Sequence, residues 1–291
     1  MGKNVTVTAS APLVLDEITS LRAKLDEYRA AGRTIALVPT MGALHAGHLR
    51  LTQRARELAD VVIVSIFVNP LQFAPTEDLS RYPRTFDADV AALDGLVDVV
   101  FAPPVEQIYP DGPTPTRVNA GDIGDLYEGA ARPGHFDGML TVVAKLLNIV
   151  QPQVALFGQK DAQQVFLVRR MVRDLNIPVS IEATPTVREP DGLALSSRNR
   201  YLDVAARPAA LTLSASLRAA ADASSQGLDA ALEAANRRIH SEPAVKLDYL
   251  VAVDPTTFLQ VDAHYRGPVT LLVAAHVGGA RLIDNTQFTL G

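Results

Sequence analysis

Arg33-Thr-Ile-Ala-Leu-Val-Pro-Thr-Met-Gly-Ala-Leu-His-Ala-Gly-His48 changes structural period partway along. Arg33 to Val38 reads as a buried strand. Pro39 and Gly42 interrupt it, and beyond His48 the apolar residues Leu51, Ala55 and Leu58 return at the spacing of one helix face. A strand that turns sharply into a helix is half of a strand–helix–strand unit.

The flanking sequence repeats the unit. Val61 to Val68 is almost uninterrupted β-branched residue, as a parallel strand covered on both faces requires, and it stops at Asn69-Pro70. Asp87 to Leu96 reads as helix and Asp98 to Ala102 as strand. Pro103 to Pro115, rich in Pro and Gly, reads as a long surface loop. Leu140, Val143, Leu147 and Val150 follow helical spacing, Val154 to Phe157 is a short strand closed by Gly158, and Val165, Val168, Val172 and Leu175 form a second helical stripe. Val179 to Thr184 is strand-like. This alternation predicts an α/β fold, a parallel sheet with helices on both faces, whose ligands bind beyond the carboxyl ends of the strands. The pattern changes after Val187. Residues 204 to 241 are Ala-rich and read as two helices broken near Gly227, and Leu247–Val253, Val269–Val277 and Ala280–Phe288 read as strands of a small separate sheet. The expected division is therefore 1–186 and a smaller C-terminal α+β domain, 187–291. Met1 to Ser10 is expected to be a loose tail or a short edge strand.

Composition narrows the function classes. Hydrophobic residues make up 48% of the chain, enough for a sizeable core. The formal net charge is −5 with no long basic run, which argues against a nucleic-acid partner. Absence of cysteine excludes disulfides, iron–sulfur clusters and thiolate zinc sites, and fits a reducing, cytoplasmic setting. No apolar run reaches the ~20 residues that span a bilayer, and the N-terminus lacks the apolar core of a secretory signal.

Three polar segments follow strands or the domain junction. In the first, Gly42 and Gly47 allow tight turning and close approach to a ligand, and a helix start offers unpaired N–H groups to phosphate. His45 and His48, three apart, share a face in a helical turn and are suited to donate to a triphosphate. Ordinary packing histidines and a zinc pair are the alternatives, the latter lacking an obvious third ligand. In the second, Phe157-Gly-Gln-Lys-Asp-Ala-Gln-Gln164, Lys160 supplies a point charge and Gln164, four residues on, projects from the same side. Asp161 fits either a helix N-cap or a ligand contact. In the third, Leu195-Ser-Ser-Arg198, two hydroxyls and a guanidinium make a phosphate clamp, although Ser-Ser-Arg is also common in loops.

Taken together these segments resemble the pantoate–β-alanine ligase family, within the His-x-Gly-His nucleotidylyltransferase superfamily, over nearly the whole chain from Arg33. Val38 to His48 carries the resemblance most specifically. Ile66-Phe-Val-Asn-Pro-Leu-Gln-Phe73, Glu77-Asp78 with Tyr82-Pro-Arg84, Phe157 to Asp161 with Gln163-Gln164, and Ser196-Ser-Arg-Asn-Arg-Tyr-Leu202 add to it. The resemblance implies a Rossmann-like fold with a C-terminal lid domain, and a two-step reaction. Pantoate is adenylated by Mg-ATP with loss of pyrophosphate, and β-alanine then displaces AMP. It implies that Met41, Gly42, Ala43, Leu44, His45, Ala46, Gly47 and His48 line the ATP site, with His45, His48, Lys160 and Arg198 acting on the phosphates. Gly158, Gln159, Lys160 and Asp161 would contact the nucleotide, Val187 would touch adenine through its backbone, and Leu195, Ser196, Ser197 and Arg198 would close over the triphosphate. Gln72 and Gln164 would bind pantoate, with Asn69 and Tyr82 as further substrate contacts and Ala74 to Arg84 as a mobile flap. Asp87 and Asp89 are read either as magnesium ligands or as an exposed helix face; the metal ligands stay unassigned. A homodimer is the implied assembly.

The sequence departs from the family pattern at Leu195, commonly Met, at Gln159, often Glu, and at Ala162, often aromatic. None of the three alters the charged or hydrogen-bonding groups named above. A nucleotidylyltransferase acting on a phosphorylated alcohol shares the histidine motif but leaves Gln72 and Gln164 without a joint role, and a non-catalytic ATP-binding module leaves His45, His48, Lys160 and Arg198 unexplained.

Overall fold

A computed structural model describes residues 11–73 and 79–291. The expectations for Met1–Ser10, and for the flap residues 74–78 including Glu77 and Asp78, lie outside the described residues. The chain divides into two compact units, one running up to Gly158 and including Leu167–Thr184, the other made of Gln159–Phe166 and Pro185–Gly291.

In chain order the first unit contains β1 (Leu13–Leu15), α1 (Ile18–Ala30), β2 (Ile35–Thr40), α2 (Ala46–Leu58), β3 (Val61–Ile66), α3 (Phe86–Ala92), β4 (Val99–Phe101), α4 (Val105–Ile108), α5 (Glu128–Ala131), α6 (His135–Val150), β5 (Val154–Gly158), most of α7 (Ala162–Asp174) and β6 (Ser180–Thr184). The strands form one parallel sheet in the order β1-β4-β3-β2-β5-β6. The order runs outward from β2 in one direction and from β5 in the other, so the topological switch lies between these two neighbours, where α/β sheets bind ligands. Alternation of side chains explains the core. Ala36, Val38, Val62, Val64 and Val100 join Leu51 and Ala55 of α2 in one buried cluster. Ile35, Leu37 and Ile63 point to the opposite face and are equally buried. Both faces of the central strands are covered, hence their nearly continuous Val and Ile.

Several local expectations shift. The buried stripe of α2 is Leu51, Thr52 and Ala55, whereas Leu58 is 39% exposed. Leu175 lies past the end of α7 and is 56% exposed. The region read as a surface loop from Pro103 contains α4 and buries Ile108 and Tyr109. Neither β1 nor α1 was expected; β1 is an edge strand with Leu13 and Val14 partly exposed, and α1 buries only Leu21 and Leu25, too sparse a stripe to stand out.

The second unit contains α8 (Ala206–Ala223), α9 (Leu228–His240), β7 (Val245–Val253), β8 (Gly267–Val277) and β9 (Ala280–Leu290). Its strands form an antiparallel sheet in chain order. Leu213 and Leu217 of α8, Ala231, Ala235 and Ile239 of α9, and Leu271 and Val273 of β8 share its core. Gly227, at φ 96°, makes the turn between the helices in a conformation other residues avoid. Residues 159–166, read from sequence as part of the first domain, group with this unit. Phe166 stacks on Phe258 at 4.9 Å between ring centroids, and Asn285 of β9 binds the backbone of Gln159 and Lys160.

Candidate active site

The turn from β2 into α2 is fixed by side chains reaching across the sheet's carboxyl edge. Thr40 Oγ1 donates to Ser65 O at 2.7 Å and accepts the Gly42 N–H at 3.2 Å. Gly42 has φ +80°, and a Cβ there would meet Asp89 Oδ2 and Ile66 Cγ2 at 3.1 Å each, so strain and crowding both select glycine. The carboxylate of Asp89, on α3 and only 3% exposed, accepts the Ala43 N–H at 2.9 Å and the Leu44 N–H at 2.8 Å. Thr85 Oγ1 donates to the same carboxylate at 3.1 Å. A buried carboxylate needs such donors, and here they are the backbone of the predicted ATP loop. Asp89 is therefore not on an exposed helix face, and both its oxygens are engaged by the loop backbone.

His45 is the N-cap of α2 and His48 is its third residue. Nδ1 of His45 accepts the Gly47 N–H at 3.1 Å, and Nδ1 of His48 accepts the His45 N–H at 3.3 Å. This is a capping box built from two imidazoles, their centroids 4.1 Å apart. Gly47 is required by the same geometry, because a Cβ would lie 2.9 Å from the His45 ring. The arrangement has a chemical consequence. With each Nδ1 an acceptor, the neutral rings carry their proton on Nε2. Both rings are thus held through Nδ1 at a helix start, where the helix also favours anions.

A second cluster of the first unit surrounds Gln72, which is 8% exposed. Gln72 Oε1 accepts from Asn69 Nδ2 at 3.1 Å, and Gln72 Nε2 approaches Met41 Sδ at 3.1 Å. A thioether is a weak acceptor, so this N–H is readily transferred to a ligand oxygen. The Asn69 amide is fully used: Nδ2 also donates to Gly138 O at 3.0 Å, and Oδ1 accepts from Leu71 N at 3.3 Å and from Tyr109 OH at 2.8 Å. Burial pushes the Tyr109 phenol up to about 12, keeping it a donor. Below Gln72, His135 Nδ1 lies 2.9 Å from Gln72 O while Arg132 Nη1 lies 2.9 Å from His135 Nε2. Arg can only donate, so His135 accepts on Nε2 and donates from Nδ1 to the Gln72 carbonyl. Gly138 lets α6 pack on this turn, since a Cβ would fall 2.1 Å from Leu71 O. Tyr82 is half-buried and meets Phe73 edge-on at 5.9 Å.

The remaining predicted residues belong to the second unit, apart from Gly158, which ends β5. The chain turns through Gln159 and Lys160, whose carbonyls both accept from Asn285 Nδ2, at 2.9 and 2.8 Å. Lys160 Nζ lies 3.7 Å from Asp161 Oδ1. Asp161 O accepts the Val165 N–H at 3.0 Å, which starts α7 and puts Gln164 in its first turn. Ala162 is buried at 6% exposure. Val187 and Leu195 are brought together by a bond from Leu195 N to Val187 O at 2.9 Å, closing a hairpin. Ser196 caps the 3₁₀ turn Ser197–Tyr201 by accepting the Arg198 N–H at 3.2 Å, and the Arg198 side chain is exposed.

Sequence reasoning missed Tyr109, Arg132, His135 and Asn285, and it did not foresee that Asp89 is buried and holds the loop backbone. A buried polar residue acts through partners far along the chain, and only the fold brings those partners to it.

The family model for pantoate-beta-alanine ligase matches residues 13–287. A pantothenate synthetase of Leifsonia xyli subsp. xyli is 64% identical over 90% of this chain and 91% of its own. One of Thermobifida fusca is 56% identical over 99% and 97%. Among solved structures, pantothenate synthetase of Thermus thermophilus aligns with TM-score 0.88 at 46% identity, over 94% of this chain and 98% of its own. The pantoate-beta-alanine ligase of Francisella tularensis, solved in complex with Beta-gamma ATP and Beta-alanine, aligns with TM-score 0.78 at 37% identity, over 95% and 97%. A paired-histidine helix cap at the switch point of a parallel sheet, a buried glutamine against Met41 of the same loop, and relatives this similar over nearly their full length show that the chain belongs to the pantoate–β-alanine ligase family.

Proposed function

We propose that this ligase condenses (R)-pantoate with β-alanine, driven by ATP, using the residues described above in the following roles. A pantoate carboxylate oxygen attacks the α-phosphorus of ATP, the bond from that phosphorus to the bridging oxygen breaks, and pyrophosphate leaves with the electron pair. The β-alanine amine then attacks the acyl carbon of the adenylate, loses a proton, and expels AMP. Adenylation is needed because a carboxylate has no good leaving group. The protein aligns the reactants, neutralises charge and excludes water from the intermediate.

His45 and His48 present Nε2–H to the phosphates, and the backbone from Met41 to Gly47, held by Asp89, approaches the nucleotide closely. Gly158, Gln159, Lys160 and Asp161 contact the nucleotide, with the Lys160 ammonium on phosphate. Val187 meets adenine, and Leu195 to Arg198 cover the triphosphate. Gln72 and Gln164 bind pantoate. Asn69, its amide saturated, orients Gln72, and Tyr82 is a further substrate contact. Magnesium is carried in on the triphosphate. Among the described residues no group of three or more His, Asp or Glu is placed to hold a metal, and magnesium ordinarily keeps phosphate and water ligands. Bound there it would offset phosphate charge. Cytoplasmic location and a homodimer complete the proposal, carried over from the family resemblance; light scattering of the purified chain tests the second.

The reciprocal His45–His48 cap carries this reading, because it sets two imidazoles at the start of the helix that follows β2, where phosphate is favoured. The test is pyrophosphate release from ATP and pantoate alone, with AMP appearing only when β-alanine is added. His48→Ala and Lys160→Ala should each slow pyrophosphate release by ~10²–10³. Unchanged rates in both would place the reaction elsewhere. Gln164→Ala should chiefly raise the pantoate requirement; a rise for β-alanine alone would remove that residue from the pantoate pocket.

A further inference from the structure

β9 breaks its own pattern in the middle. Burial alternates along Ala280, Arg281, Leu282 and Ile283 as an antiparallel strand requires, then Asp284 and Asn285 are both buried, at 4% and 5% exposure. Asp284 occupies a position in register with core residues Ala280 and Leu282, where a carboxylate is costly without partners. Its partner is Arg188, which donates from Nη1 at 2.6 Å and from Nη2 at 2.9 Å in a two-pronged ion pair. Asp284 Oδ1 also accepts the Asn285 N–H at 2.8 Å. Asn285 then directs both amide hydrogens to two successive carbonyls, Gln159 O and Lys160 O.

We infer that Asp284 and Asn285 are positioning residues for the nucleotide: one strand dipeptide sets both the Lys160 turn and the hairpin bearing Val187 and Leu195 to Arg198. Two bonds from one amide to adjacent carbonyls fix the plane of the turn, and so the direction in which the Lys160 side chain leaves it. Arg188 is the neighbour of Val187 in the hairpin, bridges to Ala194, and donates to Gly192 O at 3.2 Å. The ion pair therefore holds the hairpin to the strand that holds the turn. A polar pair that interrupts a strand's alternation while every partner is satisfied is the kind of local exception that function selects. The inference rests on the proposed contact of Lys160 with ATP.

The experiment is a double-mutant cycle in the full-length chain, measuring pyrophosphate release against ATP and against pantoate, with thermal unfolding of each variant. Asn285→Ala should lower kcat/KM for ATP by about tenfold, while KM for pantoate moves by less than about twofold. In the Lys160→Ala background the same Asn285 change should cost less than about twofold, because its effect passes through the absent ammonium. Equal losses in both backgrounds, or parallel changes for both substrates that track the melting temperature, would overturn the inference. So would an Asn285→Ala enzyme within about twofold of the parent. Should Asn285→Ala fail to fold, Asn285→Ser, which retains a single donor, is read by the same criteria. If Lys160→Ala alone leaves pyrophosphate release unchanged, the reading of Lys160 fails instead.

Discussion

The backbone N–H of His45 donates to Nδ1 of His48 at 3.3 Å, so the two residues that would meet phosphate also begin the helix that carries them. Capping uses Nδ1 of each ring and the proposed phosphate contact uses Nε2, so substitution can separate them. His45→Asn keeps an acceptor for the Gly47 N–H but loses the ring Nε2. It should retain the parent's thermal stability while slowing pyrophosphate release. His45→Ala loses both and should also unfold more easily, by ~1 kcal/mol. Equal stability and equal activity in the two variants would dissociate the cap from the site.

Asp89 acts on the same loop from the other side. In Asp89→Asn one oxygen still accepts, but the amide nitrogen confronts the second backbone N–H, and the charge is gone. The expected result is a rise in KM for ATP of about tenfold, the equivalent of ~1.4 kcal/mol, with a smaller change for β-alanine. Isothermal titration with a non-hydrolysable ATP analogue checks it. Analogue affinity within about twofold of the parent would mean the loop holds its shape without the carboxylate.

Gly138→Ala tests how closely α6 must pack on the Pro70–Gln72 turn. Because the new methyl would fall 2.1 Å from a backbone oxygen, no rotamer relieves it and one element has to move. Overpacking of this kind costs roughly 1–3 kcal/mol. KM for pantoate should rise with it, since the displaced turn carries Gln72. Denaturant unfolding and steady-state kinetics on one preparation would read both effects.

Tyr109 gives a pH signature. Its folded-state pKa is raised to about 12 from 10.0 by burial. As pH climbs through that window, the unfolded chain releases the phenolic proton while the folded chain holds it, so stability declines with rising pH. Below the window the contribution is constant. Tyr109→Phe should lose ~1 kcal/mol at neutral pH, from the missing bond to Asn69. It should also lose less than the parent as pH rises from about 10 to about 12. A parallel decline in both proteins would assign the alkaline loss to other tyrosines.

How much of this was legible depended on whether the signal was local. The strands around Ile35–Thr40 and Val61–Ile66 announce themselves because both faces are covered and nearly every residue is apolar. The histidine pair is legible because Gly42, Gly47 and the change of period surround it. Asp89 reads from sequence as a magnesium ligand or a solvated helix residue, since its partners at Ala43 and Leu44 lie far back in the chain and only the parallel sheet brings them close. Asn285 is hidden for the same reason, more than a hundred residues beyond Lys160. Tyr109 was lost inside a Pro- and Gly-rich segment, where composition outweighed the short helix it follows.

Residues 159–166 leave a strand of one unit, pack with the other, and return to the first at Leu167. Chain order and packing order therefore disagree at the stretch that bears Lys160. A fragment ending at Thr184 would still encode that lysine, but would strip Phe166 of Phe258 and the turn of Asn285. Chimeras grafted between relatives at a junction after Thr184 would pair each parent's turn with a foreign β9. Exchanging 159–166 along with the C-terminal region keeps the anchoring amide and the carbonyls it grips from the same parent.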